Sequence, residues 1–142
     1  MATEIKFDLG LKTYTIGGVD ITLNPTDPAV LKRIYKAFEG LDAVQREYDA
    51  KLPEAKKDEL LWLELAETTD KEMRTRIDEA FGAPVADAIF GDVNCYALSD
   101  GLPVWMVLML AVIDQLEKDI TAQKKLTNPR LEKYVKKYAT ER

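Results

Sequence analysis

A chain of 142 residues, 46% hydrophobic and 32% charged, has the size and balance of one soluble domain, able to bury about 68% of its unfolded surface. Its net charge of −5 argues against general nucleic-acid binding, because Lys and Arg supply most of the affinity for phosphate. No histidine is present, and the single cysteine, Cys95, excludes an intramolecular disulfide or a cysteine-based zinc cage, so the expected compartment is a reducing cytoplasm.

The first element reads as a β-hairpin over residues 12 to 24. In "KTYTIGGVDITLN", Tyr14, Ile16, Val19, Ile21 and Leu23 alternate on either side of Gly17-Gly18, a pair suited to the positive φ angles of a two-residue turn. The preceding "EIKFDL" alternates Ile5, Phe7 and Leu9 and reads as a third strand or an extended arm. Asp27 as cap and Pro28 at the first helical position then open a helix over about 28 to 50, with Leu31, Ile34, Tyr35, Phe38, Leu41 and Tyr48 at helical spacing. Pro53 is expected to open a second helix, whose stripe of Trp62, Leu65, Ala66, Met73, Ile77 and Phe81 ends at Gly82, with Thr68-Thr69 marking a bend.

In "GAPVADAIFGD", Pro84 starts and Gly91 stops a short helix, and residues 92 to 101 form an ordered loop. Pro103 then begins a helix containing the twelve-residue stretch Leu102 to Ile113, which carries no charge. At about 1.5 Å per residue this run reaches about 18 Å, short of a hydrocarbon core about 30 Å thick, so it is not a membrane span. Trp105, Met109, Val112, Leu116 and Ile120 continue one stripe beyond it, whereas its first three turns are apolar all round and need burial by the fold, by a partner, or by both. That reading puts Leu108 inside the core. Finally "TNPRLEKYVKKY" offers Asn128 as cap and Leu131, Tyr134, Val135 and Tyr138 on one face of a short helix; residues 124 to 142 carry seven basic and two acidic side chains, a net +5 on a body of −10. The expected fold is mainly α with an N-terminal β-hairpin (α+β), a single domain over 1–142: hairpin region 1–24, helical body 27–123 around a central apolar helix, and basic C-terminal helix or tail 124–142.

Chemistry is scarce. Ser99, the only serine, lies in "ALSDG", which lacks the nucleophile-elbow pattern; Ser99, Asp100 and Gly101 read as a turn and cap before the following helix. "DVNCYAL" offers Cys95 no cationic neighbour to hold a thiolate, so it reads as a small buried hydrophobe. No pair among the 25 carboxylates stands out as an acid–base couple, and no glycine-rich phosphate loop occurs. The expectation is a non-enzymatic binding protein without cofactor or metal. Trp105, Met106 and Met109 read first as core and second as a partner groove, since methionine adapts to varied surfaces and tryptophan is enriched at interaction hot spots. Lys133, Tyr134, Lys136 and Lys137 are the tail's candidates for an acidic partner surface; the alternative for that segment is a solvated, frayed end.

The order of "FDLGLKTYTIGGVDITLNPTDPAVLKRIYKAF", "FGAPVADAIFGDVNCYALSDGLPVW" and "NPRLEKYVKKY" resembles the tail assembly chaperones of phages and prophages of Gram-positive bacteria. The resemblance spans most of the chain and rests on structural phrases without catalytic content. It implies a protein of the host cytoplasm that binds the long helical tape measure protein and keeps it soluble until tail-tube subunits polymerise, and that is missing from the mature virion. Further contacts on this reading are a second copy of the chain and the tail tube protein; nucleic acid and membrane are not among the partners. The alternatives are a structural tail or neck component of the virion and a small inhibitor of host defence.

Overall fold

A computed structural model describes residues 1–126; the basic helix expected near 128 to 138, with Lys133, Tyr134, Lys136 and Lys137, lies outside the described residues. The fold is mostly helical behind an N-terminal antiparallel hairpin, an α+β arrangement. Strands β1 (Lys12–Ile16) and β2 (Val19–Leu23) pair with Ile16 opposite Val19 and Lys12 opposite Leu23. Gly17 and Gly18 both have positive φ, 56° and 83°, so the turn twists in the same sense as the strands it joins. One face of the hairpin places Ile21 and Leu23 in the core, with Tyr14, Ile16 and Val19 partly buried against it. Residues before β1 form no strand; Ile5, Phe7 and Leu9 stand exposed on an arm.

Helix α1 (Pro28–Ala55) is capped by Asp27, whose Oδ1 accepts from the Ala29 amide at 3.0 Å. It runs through Pro53, which sequence reading takes as the start of the next helix. Proline removes one helical bond and crowds the carbonyl four residues back wherever it sits, but with only Glu54 and Ala55 following it in α1 almost no helix lies beyond the distortion. The break falls instead at Lys56–Asp58, where Asp58 caps α2 (Glu59–Phe81) by accepting from the Leu60 amide at 2.9 Å. Helix α2 continues unbroken through Thr68-Thr69, with the Thr69 hydroxyl donating to the Leu65 carbonyl, and ends at Gly82 in the left-handed conformation.

Helix α3 (Ala86–Phe90) is short, and Asp78 Oδ1 accepts from the amides of both Val85 and Ala86 at its start. Across the end of the expected loop 92 to 101 and the expected helix start at Pro103, a second hairpin of two-residue strands forms from β3 (Leu98–Ser99) and β4 (Leu102–Pro103). Asp100 and Gly101, at φ 52° and 81°, make its turn, so the turn reading of Ser99-Asp100-Gly101 holds while the cap reading does not: α4 (Val104–Lys125) starts directly after Pro103 with no side-chain cap. Ile34 and Leu41 of α1, Met73 and Ile77 of α2, Val85, Cys95, and Trp105 and Met109 of α4 are wholly buried at the centre. Among the described residues no helix is long and apolar enough to cross a membrane.

Candidate functional site

Helix α4 divides its charge-free run among three surroundings. With 3.6 residues per turn, Trp105, Met109 and Leu116 share one face, and all three are buried in the core. Trp105 packs edge-on against Phe38 with centroids 5.8 Å apart and donates its indole N–H to Gln45 Oε1 at 2.8 Å. Leu108 and Val112, partly buried, line a groove of about 520 Å³ shared with the β1–β2 hairpin. Leu108, which sequence reading places inside the core, therefore stands at its margin, and Met109, on the expected stripe, occupies the centre. Val107 and Leu110 are exposed, Met106 and Ile113 half-buried.

The outer face is the part of this helix that the described chain leaves uncovered. Val107 and Leu110 lie one turn apart; Leu98 and Leu102 of the preceding β3–β4 hairpin are exposed too, but their register, Leu98 opposite Pro103 and Leu102 opposite Ser99, turns them to opposite faces of it. Acidic side chains border the apolar surface, with Asp100 in the β3–β4 turn and Asp114 and Glu117 further along the helix. Such a combination of apolar surface and polar rim is the ordinary form of a protein-binding patch. Trp105 and Met109 are fully buried, in agreement with their first reading as core, and the indole N–H finds its partner inside the chain, so against the second reading as a partner groove they support this face from beneath rather than form it. Met106, half-buried, is the member of that group at the margin of the exposed face.

Reactive groups are held in structural work. Burial pushes the Cys95 thiol well above its ordinary range, and the hydrogen bond and charge of Asp70 add to that, so the sulfur stays a protonated thiol. Arg74, with a side chain 14% exposed, ties α2 to the segment after α3: it donates to Asp70 and Asp87 and to the carbonyls of Gly91 and Val93. Asp70 Oδ1 in turn accepts from the Cys95 amide at 2.7 Å. Each of these polar groups is spent on holding backbone carbonyls and amides in place, which fixes the loop that leads into β3 and α4.

A second hydrophobic surface escaped sequence reading. Leu60, Leu61 and Leu63, at the start of α2, are all exposed at the tip of the α1–α2 pair. Consecutive leucines around a helix do not form a stripe, so periodicity directs attention away from them; the signal was the excess of leucine in "ELLWLEL" beyond what one buried face requires. Neither a family model, nor a curated protein, nor a solved structure matches the chain.

Proposed function

We propose that the chain is a non-enzymatic binding protein whose exposed α4 face covers an apolar helical stripe on a partner, and that it acts as a tail assembly chaperone for a tape measure protein. The observation that carries the binding reading is the outer face of α4: Val107 and Leu110 are 36% and 37% exposed on a helix that already buries Trp105, Met109 and Leu116 beneath them. An apolar helix laid against such a face is a recurrent mode of recognition.

The identity of the partner rests on the resemblance of the chain's phrases, from "FDLGLKTYTIGG" to "NPRLEKYVKKY", to tail assembly chaperones. A tape measure protein awaiting its tube is long, helical and rich in apolar stripes, so its solubility depends on temporary cover. The chaperone acts in the host cytoplasm and stays out of the finished particle.

Co-expression with the tape measure protein of the same tail-gene cluster tests this reading. The expected result is a soluble complex that Leu110→Asp dissociates, with the chain undetectable by mass spectrometry of purified virions. A tape measure protein that remains insoluble beside the folded chain overturns the reading, and stoichiometric recovery of the chain from virions identifies a structural tail or neck component instead.

A further inference from the structure

We infer that two copies of this chain associate by exchanging their N-terminal arms, residues 3–9 of each copy adding a strand to the free edge of β1 in the other. The inference is independent of which protein the α4 face binds.

The acceptor is an unpaired strand edge. In the register of Ile16 with Val19 around a two-residue turn, Ile16, Tyr14 and Lys12 are the hydrogen-bonded positions, so the amide and carbonyl of Thr13 and Thr15 point away from β2. The side chains agree: the Thr13 and Thr22 hydroxyls bond at 2.8 Å and Thr15 donates to Asp20 at 2.7 Å, the close approach typical of non-hydrogen-bonded pairs. No described residue pairs with that outer edge. It borders the groove of about 520 Å³, which every residue from Lys12 to Gly17 lines, alternate residues included. A strand face would contribute only every second side chain, so the groove reaches the backbone edge of β1, and Ile21 and Leu23 of β2 with Phe81 carry it on under the inner face of the hairpin. The opposite wall, formed by Leu108, Ala111, Val112 and Leu116 of α4, is apolar apart from Gln115.

The donor is the arm. Ile5, Phe7 and Leu9 alternate and are 82%, 76% and 64% exposed, a strand pattern with no sheet to join and no core to enter. Glu4, Lys6 and Asp8 occupy the intervening positions, so an added strand turns its apolar side chains toward α4 and its charges toward the polar face that carries Thr13 and Thr15. The arm is directed away from its own groove. Asp8 Oδ1 accepts from the Gly10 amide at 2.8 Å, Gly10 turns the chain at φ 70°, and Asn24, just past β2, donates from Nδ2 to the Leu9 carbonyl at 2.8 Å. These contacts hold Leu9 on the β2 side of the hairpin, opposite the free edge of β1.

Length and area also fit. Seven extended residues reach about 23 Å, enough to cover a five-residue strand of about 17 Å. One aromatic and two aliphatic side chains cover roughly 500 Å² of arm and a similar area of groove, so two exchanged arms reach about 2,000 Å², within the range of stable interfaces. Residues 127–142 are the weaker candidate for the groove, because Leu131, Tyr134, Val135 and Tyr138 recur at helical rather than strand spacing.

Sedimentation velocity on the full chain between about 5 and 100 μM, with three variants, decides the matter. The full chain is expected to be a dimer, and both deletion of residues 2–9 and Phe7→Asp to leave folded monomers with unchanged circular dichroism. Thr15→Pro removes an outward amide and leaves the β1–β2 backbone bonds in place, losing only the exposed Thr15–Asp20 side-chain bond, and should weaken the dimer at least about tenfold, since proline is tolerated on a free edge. The Thr15→Pro chain keeps its arm and the deleted chain keeps its edge, so a mixture should form a one-to-one heterodimer that neither forms alone. A monomeric full chain, a dimer that survives loss of the arm, or one that instead requires residues 127–142 would overturn the inference.

Discussion

Met109 and Leu110 are neighbours in sequence with opposite surroundings. Met109 is wholly buried between α4 and the rest of the core, whereas Leu110 is among the exposed residues of the outer face. Replacing Met109 by Ala removes three side-chain heavy atoms from a close-packed site and leaves a cavity, a change that costs about 3 kcal/mol within the usual span of about 2–5 kcal/mol. At roughly 3–5 °C per kcal/mol for a chain of this length, the thermal midpoint should fall by about 10–15 °C. Leu110→Asp exchanges an exposed side chain in mid-helix, costs about 0.5 kcal/mol in helix propensity, and should move the midpoint by about 2 °C.

Binding should show the reverse order. A carboxylate buried in an apolar interface without a partner costs at least about 2 kcal/mol, so Leu110→Asp should weaken the partner complex about 30-fold or more. Met109→Ala, assayed well below its midpoint, should bind within about threefold of the parent. Thermal melts followed by circular dichroism, with isothermal titration against the co-expressed partner, measure both quantities. Equal destabilisation by the two substitutions would refute the division of α4 into a buried and a binding face, and so would tight binding by Leu110→Asp.

Arg74→Ala should lower stability by about 2–4 kcal/mol, because it leaves the carbonyls of Gly91 and Val93 without their shared donor and Asp70 without its cation; hydrogen exchange should rise across residues 91–97, and unchanged exchange there would count against the latch. Tyr14 donates to Asp119, to which Lys12 also pairs, and this contact fastens the hairpin to α4. The Tyr14 hydroxyl bond, with Lys12 assisting, holds the Asp119 carboxyl below its ordinary range, so its stabilisation is present above about pH 4 and is lost as pH falls further. Burial, with the bond and charge of Asp119, raises the Tyr14 hydroxyl, so its contribution is present below about pH 10 and is lost on raising pH through the elevated value. The stability difference between the parent and Tyr14→Phe, about 1 kcal/mol at pH 7, should therefore shrink below about pH 4; a difference independent of pH would exclude the contact as its source. Gly17→Ala should cost about 1–3 kcal/mol by chemical denaturation, since φ is 56° and the added Cβ would meet Ile89 Cα at 2.9 Å; a neutral result would show that the turn can move away from α3.

Where residue type contrasts with its surroundings, the fold was legible. Gly17-Gly18 between alternating residues located the hairpin, and Asp27-Pro28, Gly82 and Gly91 marked helix ends, because each supplies a backbone conformation or cap that few other residues supply. Pro53 misled, since its cost depends on how near the helix end it lies, and that is set by Asp58 capping the next helix. The β3–β4 hairpin was present in the Asp100-Gly101 pair, a turn signal that two-residue strands were too short to reinforce. The stripe of Trp105, Met109 and Leu116 put Met109 in the core, but from Leu102 to Ile113 every residue is apolar apart from Pro103, so periodicity has no contrast from which to move Leu108 to the margin or to expose Leu110. The alternation of Ile5, Phe7 and Leu9 left a third strand or an extended arm open, and the structure gives the exposed arm; the free edge of β1 became visible only once β1 was placed against α4.

The most direct test of the central claim is hydrogen exchange on the chain alone and in complex with the tape measure protein. Covering the outer face of α4 should slow exchange from Leu98 to Ile113 by at least about tenfold in the complex, while α1 and the Arg74 latch change little. A stable complex that leaves residues 98–113 exchanging as in the free chain would contradict the assignment of that face.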